Sequence, residues 1–152
     1  MFRLSEASVT RPDNTTQYAA ADVIGAATGD AMEFHSEMSG VVKSAVLIDS
    51  AAEATKPDVD LMLFDTEPTV AADNAAFAVT DAQMERCVGV IQFAGSNFRI
   101  GATGNGVIVA TSFGELPYFA VARKLYGVLV ARNTYTPIAL EKFTVRLGLN
   151  HE

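Results

Sequence analysis

Tryptophan is absent from the 152 residues, cysteine occurs once and histidine twice. With Cys87 alone, an intrachain disulfide is excluded and no redox compartment is indicated. His35 and His151 are too few for a histidine-built metal centre, and zinc is excluded on ligand count. Basic residues are sparse as well. Eleven Lys and Arg against eighteen Asp and Glu leave a formal net charge of −7, and Arg3, Arg11, Lys43, Lys56 and Arg99 stand singly rather than in runs. Nucleic-acid binding needs a clustered basic footprint to displace counterions from phosphate, so no direct contact with nucleic acid is expected. The lack of basic amphipathic segments argues in the same way against a membrane surface. No apolar run approaches the roughly 20 residues of a membrane-crossing helix. The start, Met1-Phe2-Arg3-Leu4-Ser5-Glu6, lacks the basic-then-apolar pattern of a signal peptide, so synthesis in a cytoplasm is expected.

Against these absences stands an apolar fraction of 49% with only 19% charged residues, a balance that favours an ordered globule over a disordered chain. A length of 152 residues suits a single domain, residues 1–152, able to bury roughly 70% of its unfolded surface.

Period-two alternation is the clearest pattern. Lys142 to Leu149 sets Phe143, Val145, Leu147 and Leu149 against Lys142, Thr144, Arg146 and Gly148, one apolar face and one wet. Val41 to Ile48 divides into Val41, Lys43, Ala45, Leu47 and Val42, Ser44, Val46, Ile48. Lys124 to Arg132, Val59 to Phe64 and Cys87 to Phe93 are apolar on both faces and predict central strands. Tyr18–Ile24, Ala31–His35, Asn97–Ile100 and Pro117–Val121 are weaker strand candidates. Asn105-Gly106 suits a tight turn with positive φ before a Val107-Ile108-Val109 strand. Helix is confined to Thr80–Arg86, where Thr80 and Gln83 stand at capping-box spacing; Ser50–Thr55 reads as a further turn or a loop. Ser8–Gln17, polar and Pro-containing, reads as an extended arm or loop that a partner's surface would order. The fold class expected is mostly β, an antiparallel sandwich or jelly roll with one short helix.

Chemistry is harder to find. His35-Ser36-Glu37 supplies the residue types of a nucleophilic site, but adjacency in sequence does not converge side chains, and a solvated strand end explains it. Cys87 at the start of an apolar strand reads as a buried, inert thiol. Gly25–Asp30 and Gly101–Gly106 lack the order that cradles phosphate and read as turns. Asp58 and Asp60 share one strand face and form a metal or acid–base candidate, with a solvated face or blunted edge as the plainer explanation. Tyr118, Phe119, Tyr126 and Tyr135 could line a sugar-binding face; core or subunit interface is the commoner role. No catalytic, cofactor-binding or metal-binding residue is assigned, and no enzyme activity is expected.

Three stretches carry a resemblance: Val9–Gly25, beginning Val9-Thr10-Arg11-Pro12-Asp13-Asn14; Leu61–Phe77, with Leu61-Met62-Leu63-Phe64-Asp65-Thr66-Glu67-Pro68; and Leu125–Pro137, with Tyr126-Gly127-Val128-Leu129-Val130-Ala131-Arg132. In order and spacing, over most of the chain, they resemble small virion proteins of tailed bacteriophages that decorate or cement the capsid. The resemblance implies a β-rich, jelly-roll-like module, homotrimeric, bound through the major capsid protein to the exterior of the virion. It carries no catalytic residues and no cofactor. Other readings are a different virion component (tail or head–tail connector), a carbohydrate-binding β-sandwich, and, disfavoured by the missing histidines, a cupin-like enzyme.

Overall fold

The computed structural model describes residues 1–110 and 113–151. The chain forms β1 (Phe2–Thr10), β2 (Val23–Ile24), β3 (Met32–His35), β4 (Ser39–Asp49) and β5 (Val59–Phe64), then the short helix α1 (Asp81–Met84). These are followed by β6 (Cys87–Phe93), β7 (Arg99–Ile100), β8 (Gly106–Val109), β9 (Leu116–Phe119), β10 (Lys124–Ala131) and β11 (Lys142–Asn150).

All strand pairings are antiparallel. A six-stranded sheet runs β1-β11-β4-β8-β7, with β9 beside β8 along β4. A five-stranded sheet runs β2-β10-β5-β6, with β3 continuing the line of β2 along β10. The chain passes repeatedly from one sheet to the other, so the sheet order β1-β11-β4-β8 faces β2/β3-β10-β5-β6, which is the jelly-roll arrangement. The inner faces meet in one core that includes Phe34, Leu47, Leu61, Leu63, Ile91, Leu125, Phe143, Val145, Leu147 and Leu149. Inward residues of β11 are the apolar set that its alternation predicts.

The alternation of β4 does not persist along its length. At a bulge, Gly148 pairs with Ser44 while Leu149 pairs with Val42, leaving Lys43 as the extra residue. Val42, Ala45, Leu47 and Asp49 therefore face inward, a mixture of the two faces read from the sequence. Lys43 and Ser44 both stay in water, which a bulge allows by absorbing one residue.

Strands β5 and β10 are buried on both faces. Inside lies the core; outside, Val23, Met62, Phe64, Tyr126, Val128 and Val130 form a second apolar cluster, covered by Ala31, Val70, Ala71, Phe77 and Cys87. The outer face of Leu125–Ala131 needs no second copy to cover it, because the chain's own β5–β6 connection does so. Helix α1 ends that connection with the expected capping box, Thr80 accepting from the Gln83 N–H and donating its own N–H to the Gln83 side chain, each at 3.2 Å.

Two further expectations change. Ser8–Thr10 belong to β1, and Arg11 after them is fully buried, so the segment read as an arm is a strand end followed by a loop pinned to the body. The turn before β8 takes its positive φ at Gly104 (+89°) rather than at Asn105-Gly106. Gly104 lies against the backbone of Ala52 and Glu53, where a Cβ would come within 2.5 Å.

Truncation of Phe34, fully buried between the sheets, is expected to cost ~3–5 kcal/mol. Phe2→Ala, at an exposed position of β1, is expected to stay within about 0.5 kcal/mol. Urea midpoints of the two variants check the difference.

Candidate functional site

The candidates for chemistry are dispersed by the fold. His35 ends β3 in solvent; the Ser36 hydroxyl donates to the Glu37 carbonyl at 2.9 Å, and the Glu37 carboxylate pairs with Arg3 at 3.3 Å and Arg123 at 3.4 Å. Asp58 accepts the Gly95 N–H at 2.7 Å, and Asp60 pairs with Arg132. Each of these carboxylates thus has a protein partner. Cys87 is half-buried rather than buried; burial raises its thiol pKa, and the thiol lies 3.6 Å from the Gly89 carbonyl. The four aromatic residues do not form a sugar-binding face. Tyr126 joins the outer cluster of the five-stranded sheet, Tyr118 and Tyr135 are buried in the core, and Phe119 is exposed.

Sequence reasoning missed two buried polar clusters, whose members come from distant segments. In the first, the five N–H donors of the Arg11 guanidinium are all engaged. They meet Tyr18 Oη, the carbonyls of Asn14 (3.2 Å) and Ile138 (2.9 Å), Asn14 Oδ1 (3.2 Å) and Asp73 Oδ2 (3.3 Å). Tyr18 donates to Asp73, which also accepts the Gly25 N–H at 3.0 Å. Burial, reinforced by the bond to Asp73, raises the Tyr18 pKa far above the ordinary phenol value. This network anchors the loop after β1 to the segment covering the five-stranded sheet.

The second cluster closes one end of the sandwich. Asp49 is the last residue of β4, Lys56 lies seven residues later, and Glu141 immediately precedes β11. The side chains of Asp49 and Lys56 are 0% exposed, with Nζ 3.1 Å from Oδ2. Asp49 Oδ1 accepts the Ala51 N–H at 2.9 Å, while Lys56 Nζ donates to the Ala51 carbonyl at 3.2 Å. Although Lys56 is at ion-pairing distance, Asp49 Oδ2 receives no well-directed hydrogen bond from it. Glu141 accepts from Tyr135 Oη at 2.8 Å and from the Ile138 N–H at 3.3 Å. Burial, with the Asp49 carboxylate alongside as hydrogen-bond partner and like charge, pushes Glu141 up to about 8. Glu53 adds a third carboxyl, its Oε2 buried without a partner, and contributes to raising Tyr135 far above its usual range after burial and Glu141. The loop carrying Lys56 packs tightly: a Cβ on Gly95 would meet the Lys56 carbonyl at 2.3 Å.

On the surface, the outer face of the six-stranded sheet carries exposed apolar side chains among polar ones. Register places Phe2 of β1 in one row with Asn150, Val41 of β4 and Pro117 of β9, while Leu4 lies in the row of Gly148 and Ser44, and Phe119 lies opposite Ser39. Phe2 is 72% exposed, Leu4 67% and Phe119 55%. A second patch joins Val46 and Ile48 of β4 to Val109 and Val107 of β8. The ion pair Glu6–Arg146 lies in the row of Val46 beside the second patch, and Lys43 pairs with Glu115. The open side of the sandwich, between β6 and β8, holds a groove of about 470 Å³ lined by residues including Gln92, Asn97, Ile108 and Phe113.

No family model matches the chain, and no curated protein does. Among solved structures, the catalytic domain of a GH87 alpha-1,3-glucanase in complex with nigerose is similar at 15% identity and a TM-score of 0.26, over 97% of this chain and 27% of that one. A variant of that domain in complex with tetrasaccharides is similar at 16% identity, with the same coverage and TM-score. The chain spans 27% of the length of those solved chains. At that TM-score the likeness carries no argument about fold or activity.

Arg11→Ala should destabilise the protein by ~3–5 kcal/mol, because it leaves Asp73 buried without its cation; denaturant unfolding measures the loss. The raised pKa of Glu141 sets a second expectation. The folded state holds a proton that the unfolded chain has released, so stability falls as pH rises from about 4.5 towards about 8. Above that range this carboxyl adds no further slope. Glu141→Gln should flatten the decline in a series of urea midpoints across the same range.

Proposed function

We propose that the chain is a capsid decoration (cement) protein of a tailed bacteriophage, bound to the outside of the assembled shell. The observation that carries the reading is the outer face of the six-stranded sheet. Phe2, Leu4 and Phe119 stand exposed on a hydrogen-bonded platform, and exposed apolar patches of this kind mark protein–protein contact. The resemblance of the three stretches supplies the class of partner, the major capsid protein, and the homotrimer. A jelly roll is compatible with that role and equally with lectin-type domains, so the fold does not decide between them.

The physical role is mass action. A protein that bridges neighbouring shell subunits binds only the assembled state and shifts the equilibrium towards it. At a free concentration ~100 times the dissociation constant this contributes about 2.7 kcal/mol per independent site. A chain of net charge −7 would meet basic patches on its partner, so attachment should weaken with salt.

The test compares phage capsids lacking and carrying the protein for heat-induced DNA release, then adds the purified chain back. Added protein is expected to bind and raise the release temperature. The double variant Phe2→Glu, Leu4→Glu should fold yet bind roughly tenfold more weakly or worse. Failure to bind, or binding without any change in release, overturns the cementing role. Labelling found on the tail would favour another virion component. Specific signal on a glycan array, lost on substitution of Gln92 or Asn97 in the β6–β8 groove, would favour a carbohydrate-binding sandwich.

A further inference from the structure

We infer that Lys56 and Asp49 are joined by an intramolecular amide (isopeptide) bond, formed autocatalytically with Glu141 as the proton relay. The inference rests on the buried cluster alone and is independent of any role on a capsid.

The arrangement of the Asp49 carboxyl separates the two roles that its oxygens must play. Oδ1 is held by the Ala51 N–H at 2.9 Å, a fixed donor aimed at the oxygen that becomes the amide carbonyl and carries negative charge in the tetrahedral intermediate. Oδ2 lacks a well-directed donor and faces Lys56 Nζ at 3.1 Å, so it is the oxygen placed to leave. The nucleophile is positioned by its own contact. Nζ donates to the Ala51 carbonyl at 3.2 Å, and the single N–H of an amide nitrogen can keep that bond. Both side chains are 0% exposed. Water therefore neither solvates the ammonium nor competes for the carboxyl carbon, and the reactants stay together as neighbours within one loop.

The chemistry balances without any external reagent. One ammonium proton crosses the ion pair to Asp49, leaving a neutral amine and a neutral carboxylic acid. The amine lone pair attacks Cγ, and the carbonyl electrons move to Oδ1. Glu141, which burial and Asp49 dispose to hold a proton near neutral pH, gives that proton to the Oδ2 hydroxyl and takes one from the nitrogen. The Cγ–Oδ2 bond breaks, water leaves, and Glu141 is regenerated. Tyr135, donating to Glu141 at 2.8 Å, orients the relay and is a positioning residue.

The bond is read by intact mass of the full chain under denaturing conditions. Wild-type protein is expected about 18 Da lighter than its sequence, the mass of one water lost in condensation. Tandem mass spectra should then lack fragments from backbone cleavage between residues 49 and 56, because the bridge holds both halves together. Lys56→Arg should restore the full sequence mass, as should Glu141→Gln at early times. A succinimide at Asp49 would lose the same mass, but it would persist in Lys56→Arg and leave the 49–56 fragments intact; that result overturns the proposal. Wild-type protein at its full sequence mass after prolonged incubation at neutral pH also overturns it. This arm needs no variant, so a substitution that prevents folding does not weaken the test.

Discussion

The structure depends on one constraint: β5 and β10 carry apolar side chains on both faces, and both faces must leave water. The inner face is met by the opposite sheet. The outer face, with Phe64, Tyr126, Val128 and Val130, needs a second cover, and the connection between β5 and β6 provides it through Val70, Ala71 and Phe77. That connection is consequently long, irregular and held by polar anchors rather than by a ladder. The fold becomes three layers deep on one side and two on the other. The six-stranded sheet keeps a free face, which is where Phe2, Leu4 and Phe119 stand in solvent.

Most of the strand framework was legible because its signal is local. β5 and β6 have the bounds that their apolar runs predict, and the inward residues of β11 follow from alternation alone. What was not legible required partners far along the chain. The polar run Ser8–Gln17 looked like an arm because Arg11 offers no sign of burial. It is buried only because Tyr18, Asp73 and the Ile138 carbonyl converge on it from separate segments. β1 itself escaped notice, since an edge strand with one wet face and few large residues has little periodic contrast. The bulge at Lys43 is invisible to any period-two reading, which assumes an unbroken register.

The same reasoning explains why the Asp49 cluster was overlooked. Asp49, Lys56 and Glu141 belong to no motif, and nothing in their local sequence marks them as buried. Their burial follows from the closing of the sandwich end, where Gly95 and Gly104 let two loops approach more closely than any side chain would permit. Three carboxyls and one lysine in that space cannot all be charged cheaply, so the cluster holds a proton. Of the sequence-level candidates for chemistry, His35, Asp58 and Cys87 had the right residue types but not the geometry; the groups that do converge had the geometry but no motif.

The pairing of β1 with β11, from Phe2↔Asn150 to Thr10↔Lys142, joins the two ends of the sequence, whereas the cover over β5 lies directly between β5 and β6. Loop closure over so many residues is slow compared with closure over a few tens. In the five-stranded sheet β5 and β6 pair across a short stretch of chain, whereas β10 reaches back to β2, β3 and β5; the free face of the other sheet is completed when β11 inserts between β1 and β4. A nascent or stalled chain would not display that face in finished form.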